Sequence, residues 1–156
     1  MINYKKIFTM IIVCVAVFGV VLPGSAFFRN RFRLLEPENG NLYIPVGEVS
    51  NGRAHYFKVK AFDGVMVTFF VVKSRDGIIR AAIDACDVCY KSGKGYIQQD
   101  DVMVCTNCGR KFATDKINEV NGGCNPAPLA RKLDNDTLVI SMKDINANSW
   151  YCKYKR

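Results

Sequence analysis

Five cysteines fall within thirty-nine residues, from Cys86 to Cys124, and their spacing limits what this chain can build. Four of them form two Cys-x-x-Cys pairs, Cys86/Cys89 and Cys105/Cys108, with fifteen residues between the pairs. A Cys-x-x-Cys turn places two sulfurs on one side of a tight loop, close enough to share an ion. Two such turns, each beside a hairpin, close a tetrahedron of thiolates, and this spacing lies in the zinc-site range. The second turn, "VCTNCGRKF" (104–112), has the form of a zinc-ribbon or rubredoxin-like knuckle. Its Asn107 and Gly109 can take the backbone shapes that aim amides at sulfur. Disulfides inside the two turns would close only small loops and constrain the chain little. A thioredoxin-type dithiol needs a strand-to-helix turn, and no helical pattern follows Cys86 or Cys105.

The fifth thiol, Cys124, stands in "NGGCNPAP" (121–128). Gly122-Gly123 permits close backbone approach and Asn125-Pro126 fixes the exit, so the turn looks built to present a side chain. One four-coordinate zinc does not need it. An iron–sulfur cluster takes four cysteines, or histidine in place of some. Soft thiolates suit iron–sulfur clusters, zinc and copper(I), so the residues alone leave the cofactor open between an iron–sulfur cluster or iron and zinc or copper. The single histidine, His55, opens a strand-like run, "RAHYFKV"; alone it reads as an ordinary surface or core residue.

The remaining pattern is β. Strand-like runs cover 41–49, 54–62, 65–73 and 78–84, and Asp63-Gly64 between two of them is the strongest hairpin signal. Between the cysteine pairs, 95–98 and 102–105 read as strand, turn, strand. Residues 114–120 read as a short helix or strand, and 136–145 as a last strand. The expected fold is mainly β: a small hairpin-rich domain over 42–145 with a zinc-ribbon-like double Cys-x-x-Cys site. One N-terminal apolar helix is expected to precede it, with a linker at 29–41 and a basic tail at 146–156.

The N-terminus has Lys5 and Lys6, then sixteen uncharged residues from Ile7 to Leu22, then Gly24-Ser25-Ala26. Residues 1–28 read as a signal sequence or a membrane anchor, and Cys14 within them as an apolar filler. The domain is expected outside the cytoplasmic membrane, anchored to it, or secreted or periplasmic if the signal is cleaved. The net charge of +8 sits largely in the flanks of this run and in the C-terminal tail. That placement suits membrane flanking and solubility, and nucleic acid is not expected as a partner.

In sequence order, "AHYFKV", "VTFFVVKSRDG", "AAIDACDVCYKSGKGYIQQDDVMVCTNCGRKF" and "INEVNGGCNPAPL" resemble the FtrD-like membrane iron–sulfur proteins, a bacterial and archaeal family. The resemblance covers about residues 47–129. It implies a membrane-associated metal or iron–sulfur protein whose cysteine set is Cys86, Cys89, Cys105, Cys108 and Cys124, with His55 as a candidate extra ligand. It also implies an iron permease or an ABC-type permease as neighbour. With one apolar run, the chain cannot form a transport channel by itself.

Three readings follow. The first is a membrane-anchored or exported metal- or iron–sulfur-binding accessory, an electron carrier or metal handler for transition-metal uptake. The second is a binding module stapled by a structural zinc ribbon. The third is a thiol oxidoreductase. Hydrolase chemistry is disfavoured: the chain has one histidine, no phosphate-binding glycine loop and no paired acids in a catalytic context.

Overall fold

Strand β4 (Met66–Lys73) is buried along almost its whole length, and this organises the molecule. A strand alternates its side chains between two faces, so burial of successive residues requires cover on both sides. The structure is a computed structural model that describes residues 31–155. Within it β4 lies in a four-stranded middle sheet ordered β1 (Phe32–Leu34), β3 (His55–Lys60), β4, β5 (Ile79–Ile83). β1 runs parallel to β3; the other pairs are antiparallel.

One face of this sheet carries Phe57, Val59, Val67, Phe69, Ala81 and Ile83. It packs on a second sheet ordered β2 (Asn41–Pro45), β10 (Thr137–Ser141), β9 (Lys132–Asp134), through Leu42, Ile44, Leu138 and Ile140. Two short helices, α1 (Val46–Val49) and α2 (Met142–Ala147), close that core with Val49, Met142 and Ile145. The Ser141 hydroxyl caps α2 by accepting the Lys143 N–H at 3.1 Å, a common way to satisfy a helix N-terminus.

The opposite face carries Phe70, Val72 and Ala82. It meets a third sheet, the meander β6 (Tyr96–Gln99), β7 (Val102–Cys105), β8 (Lys111–Ala113). Tyr96 lies opposite Cys105 and Met103 opposite Phe112, so these four share the inward face. Each large apolar side chain buried here contributes roughly 1.5–3 kcal/mol. Cys86, Cys105 and Cys124 therefore sit in the second core, with Cys89 packed against it, between the middle sheet and the meander.

The mainly β expectation holds. Differences arise at short elements. The 41–49 and 136–145 runs each end in a helical turn, and 114–120 opens with a 3-10 turn, Thr114–Lys116. Part of the expected linker forms β1, where Phe32 packs edge-on to Tyr56 with ring centroids 5.7 Å apart. The expected tail is integrated too: the 3-10 turn Ser149–Cys152 buries Tyr151 and Cys152. The proposed signal or anchor over 1–28, its apolar helix and Cys14 lie outside the described residues. Among the described residues no helix is long and apolar enough to cross a membrane.

Candidate metal centre

The parity of β5 aims the first cysteine. Arg80 and Ala82 point to the meander side, and continuing the alternation places Asp84 and Cys86 on that side as well. Cys86 is fully buried. The chain then turns: the Tyr90 N–H donates to the Cys86 carbonyl at 3.1 Å, and the Cys89 N–H to the Cys86 sulfur at 3.3 Å. The 3-10 turn Tyr90–Ser92 ends at Gly93, whose φ of 68° is left-handed.

The meander supplies the second pair. Cys105 ends β7 facing inward, and the knuckle closes with the Gly109 N–H on the Cys105 carbonyl at 2.8 Å and the Cys105 N–H on the Arg110 carbonyl at 2.9 Å. Gly109 has φ 74°, the left-handed shape the knuckle needs. Asn107 reaches across to the first pair, donating its side-chain amide to the Cys89 sulfur at 3.4 Å.

Cys124 arrives on a third element. Residues 127–129 run beside β5 as an added edge: Ile83 N–H donates to the Ala127 carbonyl at 2.8 Å, Ala127 N–H to Ala85 at 2.9 Å, and Leu129 N–H to Ala81 at 3.1 Å. This register delivers Cys124 to the side of Cys86. The Tyr96 hydroxyl fixes it there, donating to the Cys124 carbonyl at 2.6 Å.

The sulfurs converge in two overlapping groups. Those of Cys86, Cys89 and Cys124 lie within 4.8 Å of one another, as do those of Cys89, Cys105 and Cys108. All six described cysteines are free thiols. Three elements thus bring together the five cysteines singled out in the sequence. The donor set is soft, its shared sulfur accepts an amide donor, and left-handed glycines shape its turns, so these residues fit a thiolate-bound metal or cluster.

The thiols feel one another strongly. For Cys89, the Asn107 amide favours the thiolate, but burial and the Cys105 and Cys108 sulfurs outweigh it and push the thiol up to about 12. Burial also raises Cys124, with Cys108 adding to it. Cys108 is the exposed member; the Arg110 backbone N–H and then its sulfur neighbours hold it below its ordinary value. Burial, then Cys86, pushes the Tyr96 phenol up, so it stays a hydrogen-bond donor.

His55 does not join them. It shares its strand face with Phe57 and Val59, which point into the first core, away from the thiols. Its Nε2 lies 2.8 Å from Asn51 Oδ1, and burial holds its pKa below the ordinary value. Cys152 also belongs to the first core, where its sulfur accepts the Thr68 N–H at 3.4 Å.

Several supporting residues escape a reading of cysteine spacing. Asp84, fully buried, accepts the Tyr96 N–H at 2.7 Å and pairs with Lys155 at 2.6 Å. A carboxylate ending the apolar run "IIRAAID" was its signal; nothing near Lys155 announced the partner. Arg31 lies over the Tyr56 ring, 3.6 Å from its centroid, and donates to the Tyr96 carbonyl. Tyr90 packs edge-on against Trp150 at 5.1 Å and Tyr154 at 5.8 Å, so the C-terminal segment covers the first knuckle.

The model of the family described as FtrD-like membrane iron–sulfur-containing proteins matches residues 49–151. The chain belongs to this family. The match takes in all five thiols and reaches Tyr151, whose hydroxyl donates to Asp87 between the first two cysteines. It therefore extends past the motifs that carried the sequence resemblance. A comparison with curated proteins gave no match. Among solved structures, the FtrD-like chain is similar to the quaternary ammonium Rieske monooxygenase CntA. With an inhibitor bound, that enzyme aligns at 16% identity over 64% of this chain and 30% of its own, TM-score 0.45. In its apo form it aligns at 16% identity over 64% and 32%, TM-score 0.44. The chain spans about a third of the length of these structures.

Proposed function

We propose that this FtrD-like chain is a membrane-anchored or exported accessory that holds a metal or iron–sulfur cluster for a transition-metal uptake system, with iron foremost. Its role would be electron transfer or metal handling beside an iron permease or an ABC-type permease. The observation that carries this reading is the convergence of five free thiols from three separate elements. Cys86, Cys89, Cys105, Cys108 and Cys124 would hold the group. When bound, it supplies one-electron chemistry if it is a cluster, or a soft cargo if it is an ion. The chain's own part is to exclude water with Tyr96, Phe70 and Met103 and to donate hydrogen bonds to sulfur from Cys89 N–H and the Asn107 amide. Such donors and burial tune reduction potential.

A structural zinc ribbon accounts for Cys86, Cys89, Cys105 and Cys108 and leaves Cys124 without a role. The test is metal and acid-labile sulfide content of anaerobically purified protein, with visible absorption. Iron with sulfide supports the electron-transfer form; iron without sulfide supports the handling form. A colourless protein with one tightly held zinc overturns both.

A further inference from the structure

The five sulfurs are not arranged as one tetrahedron with a spare. The four ribbon thiols do not form one mutual group: Cys86 groups with Cys89 and Cys124, while Cys105 and Cys108 group with Cys89. Zn–S bonds of about 2.3 Å put tetrahedral sulfurs about 3.8 Å apart, so three sulfurs within 4.8 Å match three ligands of a single ion. Two such triples exist and share Cys89, and the Cys108 and Cys124 side chains also meet across them.

The architecture explains the partition. Cys86 and Cys124 are delivered together by the middle sheet, through the Ile83–Ala127 and Ala127–Ala85 hydrogen bonds. Cys105 and Cys108 are delivered together by the meander. Cys89 sits at the seam, and Asn107 of the second knuckle donates to its sulfur.

Resting on the reading of the thiols as a metal site, we propose that the centre is dinuclear. One soft metal ion is held by Cys86, Cys89 and Cys124, a second by Cys89, Cys105 and Cys108, and the Cys89 thiolate bridges them. Loading two divalent ions releases five thiol protons, one from each cysteine, and changes no oxidation state. It leaves one net negative charge. A single ion in the same cage leaves either a larger charge or an idle thiol beside fully buried Cys86. Uncompensated charge is costly in such surroundings. Each ion keeps a coordination position open, which a structural staple would close.

The test loads the reduced, metal-free full chain with 113Cd2+ alone under anaerobic conditions. The expected result is two cadmium ions per chain and two 113Cd resonances split by each other through the shared sulfur. In Cys89→Ser the splitting is lost. In Cys124→Ser, which leaves the meander pair intact, stoichiometry falls from two to one, with circular dichroism confirming the fold. One ion per chain in the wild type, or two resonances without mutual splitting, overturns the dinuclear assignment and leaves the metal-site reading standing. No cadmium bound by the reduced, folded chain overturns both.

Discussion

The Tyr96 hydroxyl donates to the carbonyl oxygen of Cys124 at 2.6 Å, tying the meander to the segment that brings in the fifth thiol. Both residues are buried, so the carbonyl has no water to replace the phenol. Tyr96→Phe keeps the ring packing against Phe70 and Phe112 and removes only this donor. The expected cost is about 1–3 kcal/mol in urea unfolding, that of an unsatisfied buried acceptor. Metal retention against a competing chelator should weaken in parallel, because Cys124 loses its restraint. Unchanged stability and retention would show that the segment is positioned by its β5 hydrogen bonds alone.

Gly95 is required by Asp84. A Cβ at Gly95 would lie 2.3 Å from Asp84 Oδ2, and its φ of +75° already disfavours a side chain. The Asp84 carboxylate cannot swing aside, because Tyr96 N–H and Lys155 hold it. Gly64 provides the control: its φ is +84°, but a Cβ there meets nothing within 4 Å. Gly64→Ala is expected to cost about 1–2 kcal/mol from backbone strain alone. Gly95→Ala should cost clearly more in the same denaturation series. Equal costs would mean that the Asp84 pocket yields.

The thiol set was legible because it is a matter of spacing: knuckles are local, and the run from Cys86 to Cys124 carries its own turns. The long strands were legible because β3, β4 and β5 combine β-rich runs with turn signals. What sequence could not show was pairing between distant segments. β1, β8 and β9 have three residues each, too short for periodicity, and exist through their neighbours. Lys155 looked like solvated tail charge until the fold set it 2.6 Å from Asp84. His55 became a candidate only through the family resemblance, and strand parity turns it to the far face.

That parity yields a prediction. His55→Ala should leave metal stoichiometry and the thiolate charge-transfer spectrum unchanged, because its imidazole joins neither thiol group and faces the Asn51 side chain. The stability change should stay within about 1 kcal/mol, as one partly exposed hydrogen bond is lost. Loss of metal on this substitution, with the fold intact, would place His55 in the centre after all.

Arg80 is buried beneath the meander side of β5, and its Nε donates to the Ile117 carbonyl at 2.9 Å. Asp76 pairs with it at 2.9 Å. The Ser74 hydroxyl first, then Arg80, holds the Asp76 carboxyl at about 2, below its ordinary 3.8. A depressed folded pKa means the unfolded chain takes up the proton more readily. The stabilisation is therefore complete above pH 3.8 and is lost as pH falls through about 2. Asp76→Asn should lower stability at neutral pH and flatten the acid limb between those values. A wild-type acid limb preserved in the variant would assign it to other carboxylates.

Lys155 and Asp84 form the ion pair behind the first knuckle, with the Asp84 side chain fully buried and Lys155 nearly so. Burial raises the Asp84 pKa and Lys155 opposes that rise. Lys155→Met keeps most of the apolar stem and removes the charge, leaving the carboxylate without its cation. Removing one partner of a buried pair costs about 3–5 kcal/mol. The sign with pH follows from the raised pKa. The folded chain then holds its proton more tightly than the unfolded chain, so the Asp84 contribution is complete below the unfolded value and is lost as pH rises through the folded value. The variant should thus melt later in mildly acidic buffer than at neutral pH, and Lys155→Met with Asp84→Asn should recover part of the loss at neutral pH. If the single variant showed no pH dependence and the double variant no recovery, the Asp84 carboxylate would stay ionised with the Tyr96 N–H alone, and Lys155 would act through its place over the Phe32 ring.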